Sequence, residues 1–167
     1  EADDPNIDVT TPNLTITRFA SYVDTSFTFL TSEFEVYLYD NSYSKGIFID
    51  ADGDTFFQDG SYTSVNGSSF EFLPILNKGA LIDSSASVWN DDNDDGYLHI
   101  FDKSPAPGAG SGIAGQGDKY VAFRIVTGAA FKYGWMKVNV PADINSVTIK
   151  EVGLSNLLNT PIKVGAK

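Results

Sequence analysis

The sequence predicts an all-β fold, an antiparallel β-sandwich of jelly-roll-like type, with a β-barrel as the alternative. Short segments in which apolar and polar residues alternate recur from residue 14 to the end of the 167-residue chain. Gly, Asn, Asp and Pro separate these segments, as at 66–67, 77–79 and 141–143. No window of 12 residues has the apolar spacing of an amphipathic helix. Many short strands joined by turns are typical of two packed antiparallel sheets.

The clearest predicted strand covers residues 32–40. Its apolar residues fall on one face, and these are Phe34, Val36 and Leu38. Acidic and tyrosine residues fall on the other face, and these are Glu33, Glu35, Tyr37 and Tyr39. Because side chains alternate across a strand with a period of two, this pattern predicts a strand with one face in the core.

Ten further segments have the length and composition of strands. They are 14–19, 26–30, 46–49, 69–76, 87–90, 97–101, 120–126, 132–140, 146–153 and 161–164. Residues 103–118 interrupt this series with two prolines and several glycines, and we expect a long surface loop there.

The length and the order of these segments predict one domain. A chain of this size fits a single continuous core, and no internal repeat divides it. Residues 1–12 are polar and acidic, so we expect them to form a flexible N-terminal tether. Residues 13–167 then form the β-sandwich domain.

The charge and the cysteine content exclude several classes of function. The net charge is −11, and the two arginines, Arg18 and Arg124, are too few for phosphate recognition, so we expect no nucleic-acid partner. The absence of cysteine excludes disulfides and thiolate chemistry. No apolar run approaches the ~20 residues of a spanning helix, so we expect no membrane insertion of the domain. No signal peptide opens the sequence, and we expect an exported domain that has lost its leader.

One acidic segment fits a calcium-loop pattern. Residues 91–96 read Asp-Asp-Asn-Asp-Asp-Gly and match D-x-[DN]-x-[DN]-G. The candidate Ca²⁺ ligands are the side chains of Asp91, Asn93 and Asp95, the carbonyl of Tyr97, and Asp102 at the twelfth position. The flanking segments predict strands, so an EF-hand is not expected. The alternative is a hairpin turn in which Asp and Asn side chains cap backbone N–H groups.

A second acidic segment contains Asp50, Asp52 and Asp54. These alternate carboxylates are further candidate Ca²⁺ ligands, although Gly53 lies two positions too early for the standard loop. The alternative is a solvated acidic rim.

Three aromatic residues are candidates for ligand binding. In residues 133–140, Tyr133 and Trp135 fall on the face opposite Met136 and Val138, and Trp89 lies in an earlier predicted strand. Aromatic rings beside polar groups can stack on a sugar ring, so this pattern suggests a glycan-binding surface. The alternative is that a loop or a second sheet covers these rings.

The sequence gives little support for catalysis. His99 is the single histidine, and no Gly-x-Ser-x-Gly motif is present. A pair of carboxylates could still act on a glycoside, and the candidates are Glu33, Glu35, Glu71 and Glu151. Their alternative role is that of solvated residues on strand faces, and we expect a noncatalytic protein.

Several motifs in a fixed order resemble a diffuse family of exported, uncharacterised bacterial proteins that are β-rich and surface- or lipoprotein-like. The motifs are I-D-x-D-G-D at 49–54, Trp89, Y-x-x-F-R at 120–124, Y-G-W-x-K at 133–137 and V-G at 164–165. The resemblance implies export and a β-fold, and it implies no enzymatic activity. Many members continue the aspartate motif as Asp-Gly-x-x-Asp-Phe, whereas this chain has Gly-Asp-Thr-Phe-Phe at 53–57.

These observations lead to one functional expectation and two alternatives. We expect a noncatalytic secreted or cell-surface protein, stabilised by Ca²⁺, that binds an extracellular ligand such as a glycan. The first alternative is a structural protein that contacts a surface protein or assembles with itself by strand addition. The second is an enzyme that acts on polysaccharides.

Overall fold

The computed structural model describes residues 4–29, 32–51, 53–58, 61–65, 68–84, 89, 96–103 and 111–167. All regular secondary structure in these ranges is β. The strands are β1 Ile7–Thr10, β2 Leu14–Thr17, β3 Tyr22–Phe29, β4 Ser32–Asp40, β5 Ser44–Ala51, β6 Thr55–Phe57, β7 Ser61–Val65, β8 Ser68–Phe72, β9 Leu81–Ile82, β10 Gly96–Asp102, β11 Ser111–Gly112, β12 Asp118–Thr127, β13 Ala130–Asn139, β14 Ser146–Ser155 and β15 Ile162–Lys163.

The strands form two large sheets and one small sheet. Sheet A has the order β1-β14-β13-β12-β6, and β2 also pairs with β14. Sheet B has the order β3-β4-β5-β10-β8-β7, with β11 on β10. All pairs are antiparallel except β8 with β10, and β9 pairs with β15 in the small sheet. Both large sheets are open, so the predicted all-β sandwich is confirmed and the barrel alternative is not observed.

The main core lies between sheets A and B. The alternation predicted for β4 is confirmed, because Phe34, Val36 and Leu38 are fully buried there. Phe34 meets Phe123 of sheet A edge to face, with the ring centroids 5.2 Å apart. Aromatic pairs in this geometry contribute about 0.5–1.5 kcal/mol beyond the area they bury.

A second apolar cluster covers the outer face of sheet A. β9 and β15 contribute Ile82 and Ile162 to this third layer. Their partners on sheet A are Tyr120, Ala122, Tyr133 and Trp135. Sheet A is therefore buried on both faces, whereas the outer face of sheet B follows a different pattern that is described below.

Part of the N-terminal segment that we expected to be a flexible tether, residues 1–12, forms a strand. Ile7–Thr10 pairs with residues 152–155 of β14, and Ile7 is buried in the third layer. Together β1 and β2 extend along β14, which would otherwise present unpaired N–H and C=O groups at the sheet edge. Ile7 and Val9 alternate with polar residues as in a strand, but this pattern is too short to be recognised within the acidic segment 1–12.

Most predicted strands are present with shifted ends, and five strands were not predicted. The unpredicted strands are β1, β6, β7, β9 and β11. All five have five residues or fewer, so local alternation is too short to mark them. Of the predicted strand 87–90, the described part is Trp89, which forms an isolated bridge with Gln58.

Gly153 provides a test of the third layer. It lies opposite Trp135 in the β13–β14 register, and a Cβ at this position would approach the indole more closely than real Cβ atoms do. We predict that Gly153→Ala lowers the free energy of unfolding by about 1–3 kcal/mol, the usual cost of overpacking. Chemical denaturation measures this change, with Ser146→Ala on the same strand as the control. Equal stability of the two variants would contradict the packing described here.

Candidate functional site

The three aromatic residues predicted to bind a ligand are buried. Trp135, Tyr133 and Trp89 expose 0%, 2% and 6% of their surface, and all three belong to the third-layer cluster. They therefore do not form an exposed surface, and the alternative that other elements cover them is what the structure shows. The physical reason is that sheet A buries both of its faces, so a polar-flanked aromatic on this sheet faces another layer instead of solvent.

The environment of Trp89 shows how these faces are occupied. The guanidinium carbon of Arg124 lies 5.1 Å from the Trp89 ring centroid and 4.3 Å from that of Phe131. Tyr133 lies 5.9 Å from Trp89, ring to ring. Arg124 thus takes the cation–π position that a ligand would need, and it stabilises the third layer.

A continuous set of aromatic rings instead crosses the outer face of sheet B. We call this set the aromatic row, and it consists of Tyr22, Tyr37, Phe48, Tyr97, Phe72 and Phe70. The first five residues come from the adjacent strands β3, β4, β5, β10 and β8 in that order. At about 4.8 Å between neighbouring strands, the row is roughly 19 Å long.

The register of sheet B aligns the rings. Tyr37 is paired with Phe48, Phe48 with Tyr97, and Tyr97 with Phe72. The Tyr37 and Phe48 rings stack at 4.4 Å and 15°, and Phe48 lies 5.2 Å from Tyr97. From β4 to β8 the row therefore runs perpendicular to the strands, with one ring per strand at the same level of the sheet. Tyr22 on β3 is the partner of Tyr39 and reaches Tyr37 diagonally.

Much of the row remains accessible. Tyr22 exposes 53% of its surface, and Tyr37, Phe48, Tyr97 and Phe70 are half-buried. Phe72 is buried beside Ile100. The accessible part of the row is thus an apolar strip on the surface of an otherwise very acidic protein.

Carboxylates flank the row on the same face. Alternation along β3, β4 and β5 places there Asp24, Glu33, Glu35 and Asp50. Glu35 and Asp50 are direct register partners. The one basic residue of these three strands, Lys45, points the other way, since its Nζ donates to the Asp143 carbonyl at 2.6 Å.

One carboxylate is tied to the row itself. The Tyr37 hydroxyl donates a hydrogen bond to Glu35 Oε2. This bond is the main reason why the pKa of Tyr37 is raised, with burial and the nearby negative charges of Glu35 and Asp50 as further causes. Tyr37 therefore stays protonated, and its hydroxyl orients the Glu35 carboxylate beside the rings.

The predicted metal ligands are only partly described. Asp52, Asp91, Asn93 and Asp95 lie outside the described residues. Within the described ranges, no three histidine, aspartate or glutamate side chains are placed to hold a metal ion. Asp50 lies on β5, one residue from Ile49, and Ile49 is the partner of Gly96. The chain therefore enters β10 from the segment 91–95 at the end of sheet B that carries Asp50.

Two further candidate ligands, Tyr97 and Asp102, lie on β10. The strand is extended from Gly96 to Asp102, so these two residues lie roughly 20 Å apart. The Tyr97 carbonyl accepts a hydrogen bond from Leu73 N–H at 3.1 Å. Tyr97 contributes its ring to the aromatic row instead. Asp54 lies before β6 on sheet A, where its carbonyl accepts from Val126 N–H at 2.7 Å.

The four candidate catalytic glutamates are distributed over both sheets. Glu151 lies on sheet A and interacts with Lys167 Nζ at 2.6 Å and Lys137 Nζ at 3.9 Å. Glu71 is buried on β8, while Glu33 and Glu35 share the outer face of β4. Among the glutamates, only Glu33 and Glu35 lie on the face of the row, and both come from the same strand.

The single histidine has a structural environment. His99 is buried at a bulge in β10, and its Nδ1 accepts a hydrogen bond from Ala114 N–H at 3.3 Å. Burial lowers the pKa of His99 below its ordinary value of 6.5, and the backbone of Gly112 partly opposes this shift. The neutral imidazole thus holds the segment after β11 against β10.

Sequence reasoning missed most of the row. The alternation of β4 placed Tyr37 on the outer face, but Phe48 lies between Ile47 and Ile49 in an apolar run that does not show which face is covered. Tyr97 was interpreted as a metal ligand.

Comparisons of the chain with protein-family models, curated proteins and solved structures found no match. The family resemblance of the sequence motifs therefore stays a prediction. In the described ranges, no helix has the length and apolar character needed to cross a membrane.

The environment of His99 predicts a pH dependence of stability. Because its pKa is lower in the folded chain, the unfolded chain binds the proton first. The contribution of neutral His99 is therefore complete above pH 6.5 and is lost as the pH falls from 6.5 toward the folded pKa. We predict that the free energy of unfolding decreases between pH 7.5 and 5 and that His99→Gln reduces this decrease. Denaturation curves at both pH values test this, and a wild-type stability that does not change would contradict it.

Proposed function

We propose that this protein is a noncatalytic β-sandwich of the cell exterior that binds a glycan on the aromatic row of sheet B. The observation that carries the proposal is the row itself. Register aligns its rings on the four adjacent strands β4, β5, β10 and β8, and Tyr22 of β3 extends them. Tyr22 is exposed, and Tyr37, Phe48 and Tyr97 are half-buried. Extracellular localisation is part of the proposal, and it is supported by the acidic, cysteine-free composition and by the motif resemblance.

The chemistry of the row suits an oligosaccharide. Sugar rings present C–H groups on their faces, and these pack on aromatic faces, while their hydroxyls need hydrogen-bond acceptors at the edges. Tyr37 and Phe48 supply the aromatic faces. Glu35 and Asp50, each two residues away from one of these rings on the same strand, supply carboxylate acceptors. A row of roughly 19 Å accommodates several sugars of an extended chain.

The arrangement of the carboxylates favours binding without cleavage. Glycoside hydrolysis needs two carboxyl groups on either side of the scissile bond. Glu35 and Asp50 are instead neighbours on one face of one sheet. A sugar lying on the row would have both groups on the same side.

Self-association through the same face is the less favourable interpretation. Two copies that met face to face in a symmetric dimer would bring their four carboxylates against four others. Like charges held together in this way destabilise the contact, whereas a small ligand brings no such charge.

We also propose that Ca²⁺ binds the acidic residues of the segment 91–95. The support is the D-x-[DN]-x-[DN]-G pattern, whose last residue, Gly96, pairs with Ile49 next to Asp50. Bound Ca²⁺ would offset the repulsion among these carboxylates.

The glycan proposal makes a direct prediction for variants of the row. The wild type is tested by calorimetry against a panel of oligosaccharides from extracellular polysaccharides. We expect it to bind at least one of them. Phe48→Ala should weaken that binding by about tenfold or more, or roughly 1.4 kcal/mol, because Phe48 is central to the row. Tyr22→Ala should weaken binding only for oligosaccharides long enough to reach β3.

Exposed aromatics away from the row provide matched controls. Phe19 and Tyr43 expose 87% and 72% of their surface and take no part in the row. Phe19→Ala and Tyr43→Ala should bind as the wild type does. Binding that falls equally in Phe19→Ala and Phe48→Ala, or a panel with no ligand at all, would count against the proposal.

The calcium proposal predicts a change in thermal stability. A site that binds only the folded chain adds about 1.4 kcal/mol at a tenfold excess of Ca²⁺ over Kd, which raises the unfolding midpoint by roughly 2–4 °C. We expect this rise when millimolar Ca²⁺ replaces EDTA, and we expect Asp95→Ala to abolish it. Asp8→Ala, which removes an exposed carboxylate on β1, is the control. An unchanged wild-type midpoint would identify both acidic segments as metal-free.

A further inference from the structure

The negative charge on the face that carries the aromatic row indicates which class of glycan would bind there. The face combines stacked rings with four carboxylates, and its three strands β3, β4 and β5 place no basic side chain on it. The net charge of the chain is −11, but what matters here is that the acidic groups lie on the same face as the rings and border them directly.

Three carboxylates of this face, those of Asp24, Glu33 and Glu35, can attract a positively charged ligand. The ion pairs of the described residues lie elsewhere, with Asp40 beside Arg18 and Lys103 and with Asp118 and Glu151 on sheet A. Within the described part of the chain, Asp24, Glu33 and Glu35 form no ion pair. Asp24 is the register partner of Tyr37, so a carboxylate borders the central rings from the β3 side too.

The centre of the row experiences this negative potential. Glu35 and Asp50 are direct cross-strand partners, an arrangement that concentrates like charges at one position of the sheet. The raised pKa of Tyr37 has the charges of both residues among its causes. The faces of the Tyr and Phe rings are themselves negative, so rings and carboxylates attract the same kind of group.

We propose that the aromatic row selects cationic glycans, that is, oligosaccharides of amino sugars with free protonated amines, over their N-acetylated and acidic counterparts. This inference rests on the proposed glycan-binding function. In the complex, sugar rings lie on Tyr37, Phe48 and Tyr97. Their ammonium groups then interact with Glu35 and Asp50 on one side of the row, and Asp24 borders it from β3.

The test compares three oligosaccharides of equal length on the folded wild-type chain at a pH at which the amines are protonated. The probes are a β-1,4-linked glucosamine oligomer, the corresponding N-acetylglucosamine oligomer and a uronic acid oligomer. We expect the glucosamine oligomer to bind at least tenfold more tightly than the acetylated one and the uronic acid oligomer not to bind. The preference should diminish as the salt concentration is raised from 0.05 to about 0.5 M.

Variants separate the contribution of the carboxylates from that of the rings. Glu35→Gln and Asp24→Asn should each weaken binding of the glucosamine oligomer severalfold and leave the acetylated oligomer unaffected. Asp8→Asn, which removes the same charge far from the face, should bind both as the wild type does. Phe48→Ala should weaken both. Glu35→Gln also replaces the carboxylate that accepts the Tyr37 hydrogen bond with a weaker amide acceptor. Asp24→Asn is therefore the variant that keeps the test valid if the first one disturbs the row.

The outcomes distinguish the two proposals. If none of the oligomers binds, glycan binding itself is wrong. If the two amino-sugar oligomers bind equally at all salt concentrations, the glycan site stands and the selectivity is overturned. If the glucosamine oligomer binds Phe48→Ala as tightly as the wild type, and this binding weakens with salt, net charge alone attracts it. That result also overturns the selectivity of the row. A lysine oligomer that binds as tightly as the glucosamine oligomer would replace the glycan by a cationic peptide.

Discussion

The contact between Trp135 and Gly153 determines which faces of this protein are covered. The indole lies over the glycine on the neighbouring strand, where a side chain would leave no room, and Tyr120 meets it edge to face at 5.7 Å. A tryptophan on the outer face of a sheet needs an apolar cover, and β9, β15 and Trp89 provide it. Sheet A thus becomes the central layer of three, and sheet B is an outer layer, with no further layer on its outer face among the residues that the structure describes.

This asymmetry explains why the accessible aromatics lie on sheet B. The outer faces of both sheets carry aromatic residues, but within the described ranges only those of sheet A have a layer of the same chain packed against them. On sheet B the register of three consecutive strand pairs, from β4 to β8, aligns one ring per strand, and Tyr22 of β3 joins them diagonally. The rings cover one another only in part. The carboxylates at neighbouring positions keep this apolar strip compatible with water, and they also give the face its chemical character.

The sequence predicted the fold class well because alternation is a local signal. The faces of β4 followed directly from Phe34, Val36 and Leu38. The same reasoning misplaced the candidate surface, since alternation shows that Tyr133 and Trp135 share a face but not what packs on it. The cover comes from β9 and β15, two-residue strands about 50 residues before and about 30 after these rings, and no local pattern reports such a contact. Likewise, the spacing of Asp102 fits the calcium motif but does not report that the chain from Gly96 to Asp102 is an extended strand.

The central claim is that ligand binds on sheet B and not at the tryptophans of sheet A, and nuclear magnetic resonance tests it directly. In a titration of ¹⁵N-labelled protein with the ligand of highest affinity, the backbone signals of Tyr37, Phe48 and Tyr97 should shift most. The two indole N–H signals, from Trp89 and Trp135, should remain unchanged because both rings are buried in the third layer. Shifts centred on the indoles and Tyr133, with the sheet B signals unmoved, would contradict the account.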